Sequence, residues 1–145
     1  MDKFMAAAYE QAQKGLRKGG IPIGSVIVHN NKIIGRGYNQ RIQKQSVIHH
    51  AEMDALENMG RKNADFYNNC TIYTTLSPCI MCTGAILLYG ISKVVIGENK
   101  SFKGEEKLLM SRGVNVKVIQ NYQCIEMMSN FIEKNPQLWK EDIGL

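Results

Sequence analysis

Three side chains able to ligate a metal stand in a pattern that few folds can satisfy. His50 opens the run His50-Ala51-Glu52, and Cys79 and Cys82 follow Pro78 in Ser77-Pro78-Cys79-Ile80-Met81-Cys82. Two thiolates and an imidazole form a catalytic type of zinc site, with one position left open for water. Such a site constrains the fold, because the two segments must meet at one point. Residues three apart on a helix share a side, so a helix over Cys79 and Cys82 aims both sulfurs together. A helix start also favours negative charge and helps to hold thiolates. His50 is expected to open a second helix, so two helix starts converge on one ion. Glu52 is not needed as a ligand. It is a carboxylate two residues from one, placed to move the protons of the water.

Blander readings exist for each part. His50 alone is more often a structural histidine, and a lone C-x-x-C is more often a structural zinc or redox pair. Four residues in one spaced pattern favour the catalytic site. A closed site of Cys70, Cys79, Cys82 and Cys124 has no use for His50 or Glu52 and leaves no position for water. Cys70 and Cys124 are therefore read as small buried apolar residues. His49 lacks the x-E spacing and on a helix points about 100° away, so it is read as a non-ligand.

At 145 residues the chain suits one domain, residues 1–145. Its 44% hydrophobic and 21% charged composition is that of a globular protein. The apolar stretch near Met1 is short and soon charged, which argues against a signal peptide and for a cytoplasmic location. No run approaches membrane-spanning length. The net charge of +5 is compatible with a nucleic-acid partner, but the basic residues are scattered, and a solvated surface is the simpler account.

The pattern predicts a helix over 2–17, with Phe4, Ala8, Ala12 and Leu16 as its apolar stripe and Gly19-Gly20 ending it. Residues 23–29 and 32–38 read as a hairpin around Asn30-Asn31, followed by a polar loop over 39–48. A helix follows over 50–59, then a strand over 70–75, then a helix that Pro78 can open. Strands over 93–97 and 114–119, joined by a helix over 105–111, predict a crossover and a parallel pair. A last helix is expected over 121–134, with Pro136 after it. The sum is an α/β protein: a three-layer α/β/α sandwich, with a mixed five-stranded sheet and helices on both faces. The segment Gly84 to Tyr89 is apolar all round. Either its own domain covers it or a second copy does.

The H-x-E and P-C-x-x-C signature is that of the zinc nucleobase deaminases, and the chain resembles the cytidine deaminase superfamily. More narrowly, it resembles the fungal-type cytosine deaminases. That likeness is densest in Tyr73 to Cys79, in Met81 to Ile86, and in the tail Trp139-Lys140-Glu141-Asp142-Ile143-Gly144. The P-C-x-M-C-x-G-A segment is shared with RNA adenosine deaminases, so the tail and Asn99 to Glu105 are the more specific parts.

The resemblance implies one zinc ion, held by His50, Cys79 and Cys82. Its hydroxide attacks C4 of free cytosine with Glu52 as proton shuttle, giving uracil and ammonia in pyrimidine salvage. It also implies roles for residues around the base. Asn39 and the Ala51 N–H would bind the pyrimidine edge, while the Ser77 carbonyl and Asp142 would hold the exocyclic amine. Phe102 and Trp139 would sandwich the ring, and Ile23 and Leu76 would add apolar wall. The family pattern has glycine at Ala51; a backbone donor survives that change, though the methyl narrows the pocket. Relatives pair through the Gly84 region, which implies a homodimer, with neither a membrane nor a nucleic acid as partner.

Each of these roles has a plainer counterpart: Trp139 as a helix anchor, Asp142 as a surface carboxylate, Asn39 as a turn cap, Phe102 as core. An RNA (tRNA) adenosine deaminase or a guanine deaminase of the same superfamily is the competing enzyme. A non-enzymatic zinc module is the competing class, and it has no use for Glu52.

Overall fold

Alternating side chains on one central strand feed two separate cores, and this fixes the layering of the whole chain. The computed structural model describes residues 1–145. Its strands are β1 (Gly24–His29), β2 (Lys32–Tyr38), β3 (Cys70–Thr74), β4 (Lys93–Ile96) and β5 (Asn115–Val118). Its helices are α1 (Lys3–Arg17), α2 (Ala51–Met59), α3 (Ala64–Asn68), α4 (Ile80–Tyr89), α5 (Glu106–Ser111), α6 (Tyr122–Lys134) and α7 (Pro136–Asp142). On β1, Val26 and Val28 pack with Met5 and Ala8 of α1 and Cys124 of α6. Ile27 faces the other way, to Ala55 and Met59 of α2, Ile86 of α4 and Leu109 of α5. Helices therefore cover both faces of the sheet, as the sequence predicts.

The strand order is β2-β1-β3-β4-β5. β1 runs antiparallel to both its neighbours, whereas β3, β4 and β5 are mutually parallel. The expected crossover pair is thus present. The hairpin turn is also as read: Asn30 and Asn31 have φ of 50 and 62, the left-handed pair that a two-residue turn of this kind requires. Because β3 and β4 are parallel, the segments leaving their carboxyl ends emerge side by side. In open α/β sheets ligand crevices form at that edge. Here these segments are Thr75 to Cys79 and Gly97 to Glu105.

α1 and α2 both lie unusually close to the sheet. A Cβ on Gly24 would collide with Ala8 O and Ala12 N of α1, and one on Gly37 would collide with Ala55 N of α2. This close approach corrects the expected stripe of α1. Met5, Ala8, Ala12 and Gly15 are buried, whereas Leu16 is exposed. A helix seated directly on a strand backbone takes small residues at the contact and leaves the large one at the rim. On the other face, the same closeness seats the start of α2, and with it His50, against the sheet.

Three boundaries differ from expectation. Pro78 stands outside α4, whose N-cap is Cys79 in an extended conformation. Pro136 does not end the helical region; it is the first-turn proline of α7, a role its missing N–H permits. α3 is a single short turn capped by the Asn63 side chain, too short for apolar periodicity to reveal. α4 is only partly covered by its own chain: Cys82, Ala85 and Ile86 are buried, whereas Ile80, Leu88 and Tyr89 are exposed. No helix is long and apolar enough to cross a membrane.

Candidate active site

Two helix starts meet at the carboxyl edge of the sheet. His50 is the N-cap of α2, and Cys79 is the N-cap of α4 with Cys82 in its first turn. His50 Nδ1 lies 3.4 Å from Cys79 Sγ and 3.6 Å from Cys82 Sγ. All three donor atoms fall within 4.8 Å of one another. Tetrahedral zinc with ordinary bond lengths sets nitrogen and sulfur about 3.5 Å apart, so the donor set and its spacing fit that ion. The other ring nitrogen, His50 Nε2, is 3.4 Å from Asp142 Oδ1. A carboxylate behind a ligating histidine fixes which nitrogen faces the metal.

Electrostatics point the same way. A hydrogen bond from Cys82 draws the Cys79 thiol down to about 4 against the effect of burial, and His50 assists. Cys82 is raised as the partner that keeps the shared proton, and burial adds to this. Burial opposes charge on His50, yet the Cys79 hydrogen bond and the carboxylates of Asp142 and Glu52 lift it to about 9. The surroundings that hold a proton there suit a cation. Burial, then the Cys79 thiolate, raises Glu52 to about 7. A carboxyl group poised near neutrality can both take and give a proton.

A small cavity of about 20 Å³ opens above these groups, room for about one water. Its floor is His50, Ala51, Glu52 and Cys79, and its walls include Ile23, Leu76 and Ser77. Asn39, Phe102, Trp139 and Asp142 complete it. The structure thus gathers every candidate named from the sequence; Cys82 alone does not line the cavity and sits behind Cys79. Phe102 and Trp139 stand edge to face, with ring centroids 6.0 Å apart. Asn39 Nδ2 donates to Asp142 Oδ1 at 2.9 Å, and Asn39 Oδ1 accepts from Arg41 N at 3.1 Å. Arg41 Nη1 also lies 3.9 Å from Asp142. Burial raises Asp142, with His50, Asn39 and Arg41 opposing it.

His49 is no ligand; its Nε2 pairs with Asp54 Oδ1 at 2.7 Å. Asp54 is a residue that sequence reasoning missed. It also accepts from Tyr38 N and Gln40 Nε2, and so ties the start and end of the loop that carries Asn39 to α2. Ile143 lines the cavity as well, and Glu106 accepts from the hydroxyl of Ser77, which lines it. No motif marks these residues. For Asp54 and Glu106 the only signal is an acidic residue in the first turn of a helix.

Comparison with known proteins agrees with this geometry. Residues 1–98 match the family described as cytidine and deoxycytidylate deaminase zinc-binding region. The chain belongs to that family and is a zinc-dependent deaminase. It is 54% identical over 143 residues to the cytosine deaminase of Candida albicans, covering 98% of this chain and 95% of that one. It is 32% identical over 155 residues to tRNA-specific adenosine deaminase 2 of Xenopus tropicalis, covering 94% and 91%. Among solved structures, a guanine deaminase from Nitrosomonas europaea superposes with a TM-score of 0.75 at 17% identity, covering 88% and 82%; this likeness shows the shared fold.

Proposed function

We propose that this chain, acting as a single domain over residues 1–145, hydrolyses free cytosine to uracil and ammonia and so serves pyrimidine salvage. The observation that carries this reading is the 54% identity, along nearly the whole chain, to a cytosine deaminase. Zinc, held by His50, Cys79 and Cys82, supplies the Lewis acidity that makes water nucleophilic near neutral pH. Glu52 takes a proton from that water and delivers it to N3 of the ring, which makes C4 electrophilic. The water oxygen bonds to C4 as a hydroxyl. Glu52 then takes the remaining proton of that hydroxyl and gives it to the amine, so the C4–amine bond breaks, ammonia leaves and the C4 carbonyl of uracil remains. Ala51 N–H and the Asn39 amide hold the pyrimidine edge. The Ser77 carbonyl and Asp142 accept from the exocyclic amine, so a base lacking it loses both bonds. Phe102 and Trp139 flank the ring, and Ile23 and Leu76 pack on its rim.

The small, roofed cavity supports a free base over a nucleotide in RNA, which needs an open groove because the flipped base stays attached to its strand. The exposed apolar side chains of α4 support a homodimer formed through that helix; sedimentation as a monomer at micromolar concentration would remove this part. A cytoplasmic enzyme fits the reduced cysteines, all four of which are free.

The test is to mix zinc-loaded protein with cytosine and follow uracil and ammonia. Turnover abolished by a chelator, with cytidine a poor substrate, is the expected result. Protein that keeps its zinc but ignores cytosine overturns the reading and directs the assay to guanine and to adenosine in RNA.

A further inference from the structure

Residues 97–105 between β4 and α5 have no regular structure, yet they carry Phe102 to the roof of the cavity. What holds them is a polar clamp that the chemistry above does not use. Glu106 is only 4% exposed, and it takes part in none of the ion pairs of the chain. Its Oε2 accepts from the Ser77 hydroxyl at 2.6 Å. Asn99 Nδ2 lies 3.1 and 3.2 Å from its two oxygens. Ser77 Oγ, having given its one proton to Glu106, accepts from Gly104 N at 2.9 Å. Asn99 is held from its far side by Gln120, whose Nε2 donates to Asn99 Oδ1 at 2.6 Å.

The backbone completes the clamp. Ser77 N donates to Glu98 O at 3.0 Å, and Glu105 N donates to Pro78 O at 3.2 Å. A Cβ on Gly104 would collide with Pro78 O. Both ends of the loop are therefore fastened to Ser77-Pro78, which leads directly into Cys79.

We propose that Glu106 is a positioning residue: through Ser77 and Asn99 it fixes Phe102 against Trp139, and so sets how tightly the cavity grips a planar base. This inference rests on the cytosine reading for its kinetic consequences. A buried carboxylate with no cation beside it is costly. It is retained here because every group facing it is a donor, and a carboxylate is an acceptor only. Glutamine cannot replace it. One of its two ends would turn N–H groups toward the Asn99 amide or the Ser77 hydroxyl, forcing the Ser77 proton away.

The experiment compares zinc-loaded wild type with Glu106→Gln. Trp139 is the one tryptophan of the chain, so acrylamide quenching of its fluorescence reports on the roof without any substrate. The expected result is a KM for cytosine raised about tenfold, the loss of one good hydrogen bond. The change in kcat is smaller, zinc content is unchanged and Trp139 is more readily quenched. In a Phe102→Ala background, Glu106→Gln adds nothing further to KM. Val94→Ala, which loosens the sheet core elsewhere, leaves quenching as in wild type. Unchanged KM and quenching overturn the proposal, as does an effect that adds fully to that of Phe102→Ala. If Glu106→Gln does not fold, Ser77→Ala takes the same readouts, since it removes the hydroxyl joint but keeps the backbone carbonyl. A chain that ignores cytosine defeats the functional reading alone; the quenching result still judges the clamp.

Discussion

At one end of the cavity, His50, Glu52, Cys79 and Cys82 stand on the first residues of two helices seated against the sheet. At the other end, Asn39 and Phe102 stand on loops, and Trp139 and Asp142 on the last helix. The first set is positioned by backbone hydrogen bonds within α2 and α4. The second is positioned by side chains: Asp54 under the loop of Asn39, Glu106 under the loop of Phe102, and Asn39 and Arg41 on Asp142. The ends should therefore respond differently to mutation. Changes at the helix starts act as all or nothing, because each residue has a task that no neighbour shares. Changes at the loops should act by degrees, because several side chains share that end of the cavity.

The sharpest way to break this contrast lies at the helix starts. Cys79→Ala should lose both zinc and turnover, since two remaining ligands no longer make a catalytic site. Glu52→Gln should keep zinc and lose about 10³-fold or more in kcat, in the range for general acid–base groups. Metal analysis alongside an ammonia assay reads both. A Glu52→Gln protein with near-normal turnover would falsify the proton-shuttle assignment. A Cys79→Ala protein that stays fully loaded with zinc would show that the metal lies elsewhere.

A smaller effect is expected at the other end. Asp142→Asn should keep zinc and slow kcat/KM by roughly 10- to 100-fold, the cost of losing a hydrogen bond to a charged acceptor. The amide would also place a donor near Asn39 Nδ2, now 2.9 Å from the carboxylate. If Asp142→Asn instead strips the metal, then its contact with His50 Nε2 dominates, and the two ends are not independent. Steady-state kinetics on protein of measured zinc content separates these outcomes.

The contrast also explains what the sequence made legible. His50 and Glu52 are close in sequence, as are Cys79 and Cys82, whose spacing follows from helix geometry. His50 and Cys79 stand 29 positions apart, a gap bridged by a recognisable joint pattern. The strands and the parallel pair were readable because apolar alternation and β-branched runs mark them. The other residues that line the cavity were reached only through a family resemblance. Nothing in the local pattern of Phe102 or Asp142 distinguishes them from core or surface. Asp54 and Glu106 escaped altogether, because a buried acidic residue looks like an exposed one until its donors are known. In the stripe of α1, Ala8 and Ala12 are buried as read, but its ends fall at Met5 and Gly15 instead of Phe4 and Leu16, for a related reason: the close approach of Gly24 to Ala8 and Ala12 is a tertiary fact. Likewise Pro136 reads as a helix stop or a helix start, and only the docking of Trp139 decides.

Cysteine itself gives the finest form of the comparison. At the helix starts Cys79 is drawn down to about 4. In the sheet core, Cys124 of α6 is fully buried beside Val26 and Val95, and burial, with help from Glu98, pushes it up to about 12. The unfolded value is near 9, so the sign is fixed. Below about pH 9 both states keep the proton and Cys124 costs nothing. Above it the unfolded chain loses the proton while the folded chain holds it, and stability falls as pH rises toward 12. The slope is at most about 1.4 kcal/mol per pH unit. Cys124→Ala removes that dependence while adding a small, pH-independent packing loss. Urea unfolding at about pH 8 and about pH 10 should show wild type losing about 1 kcal/mol more than the variant between the two. Parallel losses in the two proteins would mean that the buried thiol ionises freely, and that the core around α6 admits water as readily as the mouth of the cavity does.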